Sequence, residues 1–177
     1  MAREERAMRP DVETRAGPDD HQSLRLWLRL LACTNLIETQ VRQGLKAGYS
    51  TTLPRFDLMA QLDRAEEGLK MGELSRRMMV TGGNVTGITD MLEKEQLVIR
   101  EPDPADRRAY RVRLTRDGRR QFRRMAAEHE RWVIGLMDGL SRRQRDQLVE
   151  LLGVLKIELA RRTTASPDAL NGKGANQ

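Results

Sequence analysis

The sequence predicts a mainly α-helical fold carrying one small β-hairpin, in the order ααααββαα. Three observations predict it. Aromatic residues make up only 3% of the 177 residues, so the core must be built from Leu, Met, Ile and Val, which favours packed helices over sandwiched strands. Apolar residues recur at helical spacing through most of the chain between residues 22 and 162. One stretch breaks that period: in Tyr110-Arg111-Val112-Arg113-Leu114 apolar residues alternate with arginine, the pattern of a strand with one buried face.

A first helix is expected over about 22–46, with Leu24, Trp27, Leu28, Leu31, Leu36 and Val41 along one broad stripe and Gly48 ending the region. Thr52 is placed to cap a second helix with Pro54 in its first turn, where the missing amide hydrogen costs little. Phe56, Met59, Ala60 and Leu62 form its inward side. A short third helix is expected over Met71–Met78, and a fourth over Gly82–Glu95 behind Thr81, with Val85, Ile88 and Leu92 turned inward. Leu97–Arg100 reads as a strand, and the two prolines and the charges of 101–108 read as a turn. The alternating stretch 110–114 closes a hairpin. Thr115 caps a long fifth helix, and Ser141 with Gln144 three residues later forms a capping box opening a sixth. Leu148, Leu151, Leu152, Leu155 and Leu159 give that last helix an apolar stripe. Residues 1–20 and 163–177 are polar, Pro- and Gly-containing and aperiodic, and read as disordered tails. A single domain is left over 21–162.

Charge points to a partner. The net charge is +6, and the segment Leu97–Arg124 alone holds ten arginines against four acids. The remainder of the chain is therefore neutral, and clustered arginine in a balanced chain suits a polyanion. A lone cysteine, Cys33, excludes an intramolecular disulfide, and with no obvious basic neighbour to lower its pKa it is expected to be a small buried hydrophobe. No apolar run approaches the roughly 18–20 residues of a membrane span, and the charged start is not a secretory signal, so the cytoplasm is expected. No phosphate loop, dinucleotide fingerprint, nucleophile elbow or His-carboxylate cluster is present, which argues against an enzyme. No metal site and no cofactor are expected.

Two short helices joined by a tight turn, followed by a basic hairpin, suit DNA. The major groove, about 12 Å wide, admits one helix whose first residues meet base edges. The fourth helix begins Thr81-Gly82-Gly83-Asn84-Val85-Thr86-Gly87, and its inward stripe leaves Gly83, Thr86, Gly87 and Asp90 facing out. Glycine inside a helix costs about 1 kcal/mol, and close approach to a phosphate backbone is a reason to keep it. Thr81, Gly83, Asn84 and Thr86 are thus candidate DNA contacts, with Arg100 in the first strand. At the hairpin tip, Asp106, Arg107 and Arg108 offer two guanidiniums and a carboxylate able to brace Arg108 toward a minor groove. The competing reading is a winged helix used as a protein-interaction or RNA-binding module; the lack of clustered aromatics argues against single-stranded RNA.

The stretch from about Leu53 to Gly118 strongly resembles the MarR family of bacterial regulators, most specifically in Gly-Asn-Val-Thr, Asp-Arg-Arg and Leu-Thr-x-x-Gly. The resemblance implies a winged helix-turn-helix over about 53–118 and a dimer joined through helices over 22–46 and 116–162. It also implies double-stranded operator DNA as partner, often with a small aromatic or acyl effector. By the same analogy Thr86 meets the major groove and Arg108 the minor groove. One departure stands out: where the family has Gly before Leu-Val, this chain has Gln96, in a place that calls for a left-handed backbone. The phrase Thr-Gly-Gly-Asn-Val-Thr is similar to members controlling aromatic-acid catabolism, which suggests an aromatic carboxylate or its CoA thioester. Arg25, Arg29 and Arg55 are candidates for a CoA tail, and Trp27, Asn35, Phe56 and Met59 for pocket walls.

Overall fold

The computed structural model describes residues 22–104 and 106–165, and of these the side chains of 107, 108 and 163–165 lie outside the description. Six helices and three strands follow in the order α1 (Gln22–Tyr49), α2 (Leu53–Asp63), β1 (Leu69–Lys70), α3 (Met71–Met78), α4 (Gly82–Lys94), β2 (Val98–Asp103), β3 (Asp106–Leu114), α5 (Arg116–Leu136) and α6 (Arg142–Ala165). The expected order gains one element. Two residues after the left-handed Gly68 pair with β3 (Leu69 with Val112, Lys70 with Arg111), making a three-stranded antiparallel sheet ordered β1-β3-β2. A two-residue strand is too short to show a period.

The hairpin is also longer than expected. Pro102 pairs with Tyr110 and Asp103 with Asp106, so most of the expected turn is strand. β2 is an edge strand, where a missing proline N–H faces outward and costs no ladder bond. The expected tails 1–20 and 166–177 lie outside the described residues, while α6 runs through Ala165.

Two compact units make up the described chain, one reaching to Val133 and one beginning at Ile134. The first has a core in which Leu45 of α1, Leu58, Met59 and Leu62 of α2, Leu74 of α3, Val85 and Leu92 of α4, Val98 and Val112 of the sheet, and Met125 of α5 are fully buried. Ile88 packs against this core partly buried as expected, and Thr89 joins the inward side of α4 fully buried, its hydroxyl donating to the Val85 carbonyl at 2.8 Å. The expected stripe on α1 is covered by its own chain only near its end, at Val41 and Leu45; Leu24, Trp27, Leu31 and Leu36 stand exposed. Cys33, expected to be buried, is exposed on the same helix. In the second unit α6 carries Leu148, Val149, Leu151, Leu152, Val154, Ile157 and Leu159 exposed.

Local signals explain the helix ends. Thr115 accepts from Gly118 N at 2.9 Å, and Ser141 and Gln144 form the expected capping box. Thr52 and Thr81 occupy N-cap positions without a side-chain cap bond. α1 ends at the left-handed Ser50 (φ 49°), not at Gly48. Gln96 does adopt the left-handed conformation anticipated for it, with φ 60° and Leu97 N donating back to Leu92 O at 2.9 Å. A side chain there is strained, so Gln96→Gly should stabilise the chain by about 1 kcal/mol in chemical denaturation. An unchanged midpoint would show that the turn relaxes without glycine.

Candidate nucleic-acid interface

α3 and α4 are joined by a turn that their own backbone specifies. Met79 closes α3 in a left-handed conformation (φ 54°). The Ser75 hydroxyl donates to Val80 O at 2.6 Å while Val80 N returns to Ser75 O at 3.2 Å. Val85, Thr89 and Leu92 seat α4 on the core, which leaves Thr81, Gly82, Gly83, Asn84, Thr86, Gly87 and Asp90 exposed on its other side. A Cβ placed on Gly82, Gly83 or Gly87 would meet open space. Nothing inside the fold requires these glycines, and none has a positive φ. Thr86 donates its hydroxyl to Gly82 O at 3.0 Å, so its methyl is the group left for a neighbour.

Beside this face lies a cleft of about 900 Å³, bounded by the start of α3, the outward side of α4 and β3. Thr86 and Arg100 line it, together with Lys70, Arg76, Asp90 and Arg111. Arg100, read as a DNA contact, is committed to ion pairs with Asp90 and Glu93 of α4. It holds the strand to the helix, which makes it a positioning residue for the exposed face. Glu73 is held by Arg77 and Arg76, and the Arg77 hydrogen bond pulls its carboxyl below the usual range.

The hairpin has an internal brace that the sequence reading missed. Asp103 is only 1% exposed, and its carboxylate accepts from Arg111 at 2.6 Å, lies 3.4 Å from Lys70 Nζ, and accepts from Asp106 N at 3.0 Å. It ties all three strands just below the hairpin tip. Two flanking prolines made this residue look like part of a loop. The expected Asp106–Arg108 pair depends on a side chain outside the described residues, as does the placement of Arg107. Asp106 itself is exposed at the start of β3.

The arginines at the start of α5 do not belong to the same surface as the wing tip. They follow Leu114 at the far end of β3, about 26 Å from Asp106 at ~3.3 Å per residue.

The expected effector residues are not gathered. Arg25, Trp27, Arg29 and Asn35 lie along the first half of α1, and Arg25 and Arg29 border a depression with Gln22, Ser23 and Leu26 that Arg55 does not line. Arg55 pairs instead with Glu95 at the end of α4, and its Nε is buried without a partner. Met59 is fully buried and Phe56 nearly so, which makes both core residues rather than walls of an open pocket. Phe56 stacks on His129 of α5, with ring centroids 4.9 Å apart, and lies 5.4 Å from Phe122. Next to it burial pushes the Asp57 carboxyl up, with Glu38 adding to the shift and His129 and Arg42 opposing it. Asp57 and His129 had no sequence signal: each is one polar residue among several on a helix of mixed composition.

Residues 51–110, from the start of α2 to the middle of β3, match the MarR family profile. The crystal structure of a MarR family transcriptional regulator from Silicibacter pomeroyi is 30% identical, with a TM-score of 0.67 over 82% of this chain and 99% of that one. The chain belongs to the MarR family. Among curated relatives, the transcriptional activatory protein BadR of Rhodopseudomonas palustris is 32% identical over 97 residues, 54% of this chain and 55% of BadR. This MarR-family chain thus spans about half the length of that relative. Sco3205 of Streptomyces coelicolor, solved in complex with DNA, shares the fold with a TM-score of 0.69 at 23% identity, covering 80% of this chain and 89% of Sco3205. In this MarR-family chain the matched segment contains the whole of α3, the turn and α4.

Proposed function

We propose that the chain is a transcription regulator that binds a pseudo-palindromic DNA operator as a homodimer, with α4 in the major groove. The observation that carries this reading is the outward face of α4. It is polar, exposed and bare at three glycines for which the interior supplies no reason. Helix glycines are costly, so the reason lies outside the chain, in a surface that comes close. Thr81, Gly83, Asn84 and Thr86 are assigned to that surface, the Thr86 methyl suiting the apolar edge of thymine. Arg107 and Arg108, with Asp106, are assigned to the minor groove flanking it, where narrow A·T tracts favour arginine.

Residues 21–162 form the proposed working unit, in the cytoplasm. Its dimer contacts are assigned to the uncovered apolar residues of α1 and of α6, which water would otherwise meet. We assign it the action of a repressor released by an effector, an aromatic carboxylate or its CoA thioester. Arg25, Arg29, Trp27 and Asn35 on α1 are assigned to such a ligand, whereas Phe56 and Met59 are buried in the core. By linkage, DNA must weaken effector binding by the factor with which effector weakens DNA binding.

The test is a gel shift on the DNA beside the protein's own gene over a range of salt. The logarithm of the affinity should fall linearly with the logarithm of salt concentration, and Arg107→Ala should flatten the slope by about one unit. Arg108→Ala should cost roughly 1–3 kcal/mol at the operator while leaving the melting curve unchanged. An affinity indifferent to salt would contradict the reading.

A further inference from the structure

The arginines at the junction of β3 and α5 form a groove of their own. Its volume is about 700 Å³, and its walls include six guanidiniums: Arg113, Arg116, Arg119, Arg120, Arg123 and Arg124. Three of these are neutralised in place. Arg113 makes two bonds to Glu101 (2.6 and 2.7 Å), Arg119 lies 3.2 Å from Asp63, and Arg120 lies 2.9 Å from Asp117. Among the described residues, Arg116, Arg123 and Arg124 have no carboxylate within ion-pair distance. All three are exposed.

Like charges crowded along two turns of one helix repel each other, so the fold gains nothing from this arrangement on its own. The groove shares no lining residue with the cleft at α4. It sits at the base of the hairpin, at the opposite end of β3 from the tip. Its size is that of a small-ligand site, about 300–1,000 Å³. Arginine forks match phosphate oxygens in pairs, and the start of α5 adds the positive end of a long helix.

We propose that this groove is a second anion site, which binds a small polyphosphate, either the phosphate chain of a nucleotide or inorganic polyphosphate. Three uncompensated guanidiniums suit a compact ligand carrying three to four negative charges. Leu114 is nearly buried, so the apolar surface of the groove comes mainly from arginine stems, and recognition falls on the phosphates at their charged ends. The site is independent of the DNA reading above.

Calorimetry on the full chain tests it, with inorganic tripolyphosphate and a nucleoside triphosphate as probes. One tripolyphosphate per chain should bind saturably. The double variant Arg116→Gln, Arg123→Gln should weaken it by roughly 100-fold, the loss of two charge-assisted contacts. Arg107→Gln at the hairpin tip should leave it within about 2-fold, since that residue is remote from the groove. Equal affinities for the two probes assign the site to the phosphate chain, and a tighter nucleoside triphosphate assigns it to a nucleotide. Absence of saturable binding, or equal losses in the Arg107 and double variants, would overturn the proposal. So would a double variant that binds tripolyphosphate normally but loses affinity for a long duplex, because the groove would then be a surface for flanking DNA.

Discussion

Gly118→Ala will remove a large part of this protein's folding stability. A Cβ at position 118 would lie 1.9 Å from the Leu97 carbonyl oxygen, 2.8 Å from its carbon and 3.2 Å from its Cα. All three are backbone atoms at the entrance to β2, so no side-chain rotation relieves the overlap. The first turn of α5 would have to lift off the sheet. Lifting it breaks Thr115 N to Leu97 O (3.0 Å) and the Thr115 hydroxyl bond to Gln96 O (2.8 Å). We expect a loss of about 4 kcal/mol or more, the range reserved for severe overpacking, against a typical total of ~5–15 kcal/mol. Chemical denaturation measures it, with Gly48→Ala as the control. Gly48 has open space around it, and that change should stabilise by up to about 1 kcal/mol. A Gly118→Ala variant as stable as wild type would mean that α5 does not press on Leu97.

Gly87→Ala should move stability and DNA binding in opposite directions. Position 87 is interior to α4, has ordinary backbone geometry, and a Cβ there meets nothing within the chain. Alanine should therefore stabilise the fold by about 1 kcal/mol. On the proposed reading that same methyl stands between α4 and the floor or wall of the groove. It should cost at least ~10-fold in operator affinity, equivalent to about 1.4 kcal/mol. Fluorescence anisotropy and thermal melting on the same sample give both signs. A stabilised variant with unchanged DNA affinity would mean that DNA does not approach α4 along its glycine face.

The helices of the candidate interface were legible because they are written in local chemistry. α3 matches its expected bounds, Met71–Met78, and α4 its start at Gly82, since a 3.6-residue apolar period marks both. The left-handed turn at Gln96 could be located even though the residue is the wrong one for it, because its place after α4 is set by the helix ahead of it. Leu-Thr-x-x-Gly also gains a physical meaning: Thr115 caps Gly118 N, and Gly118 is small enough to rest on Leu97 O.

What sequence could not supply was partnership. Asp103 looks like any charged turn residue until three strands are seen to converge on it. Arg100 and Arg55 carry the same charge as a DNA- or ligand-binding arginine, and only the fold reveals that Asp90, Glu93 and Glu95 hold them. Apolar periodicity marks a face to be covered without saying by what. Leu24, Trp27 and Leu31 belong to such a face and are left bare by their own chain, while Phe56 and Met59 are sealed into the core.

The central claim is that two copies of α4 read one DNA site. Hydroxyl-radical footprinting of the wild-type chain on the DNA beside its own gene tests it most directly. The account predicts two protected segments related by a two-fold axis, their centres about one helical turn apart, roughly 34–36 Å. Protection should weaken in both segments together with Gly87→Ala, because each copy carries the change. A single protected segment, or protection no stronger than on unrelated DNA, would contradict it.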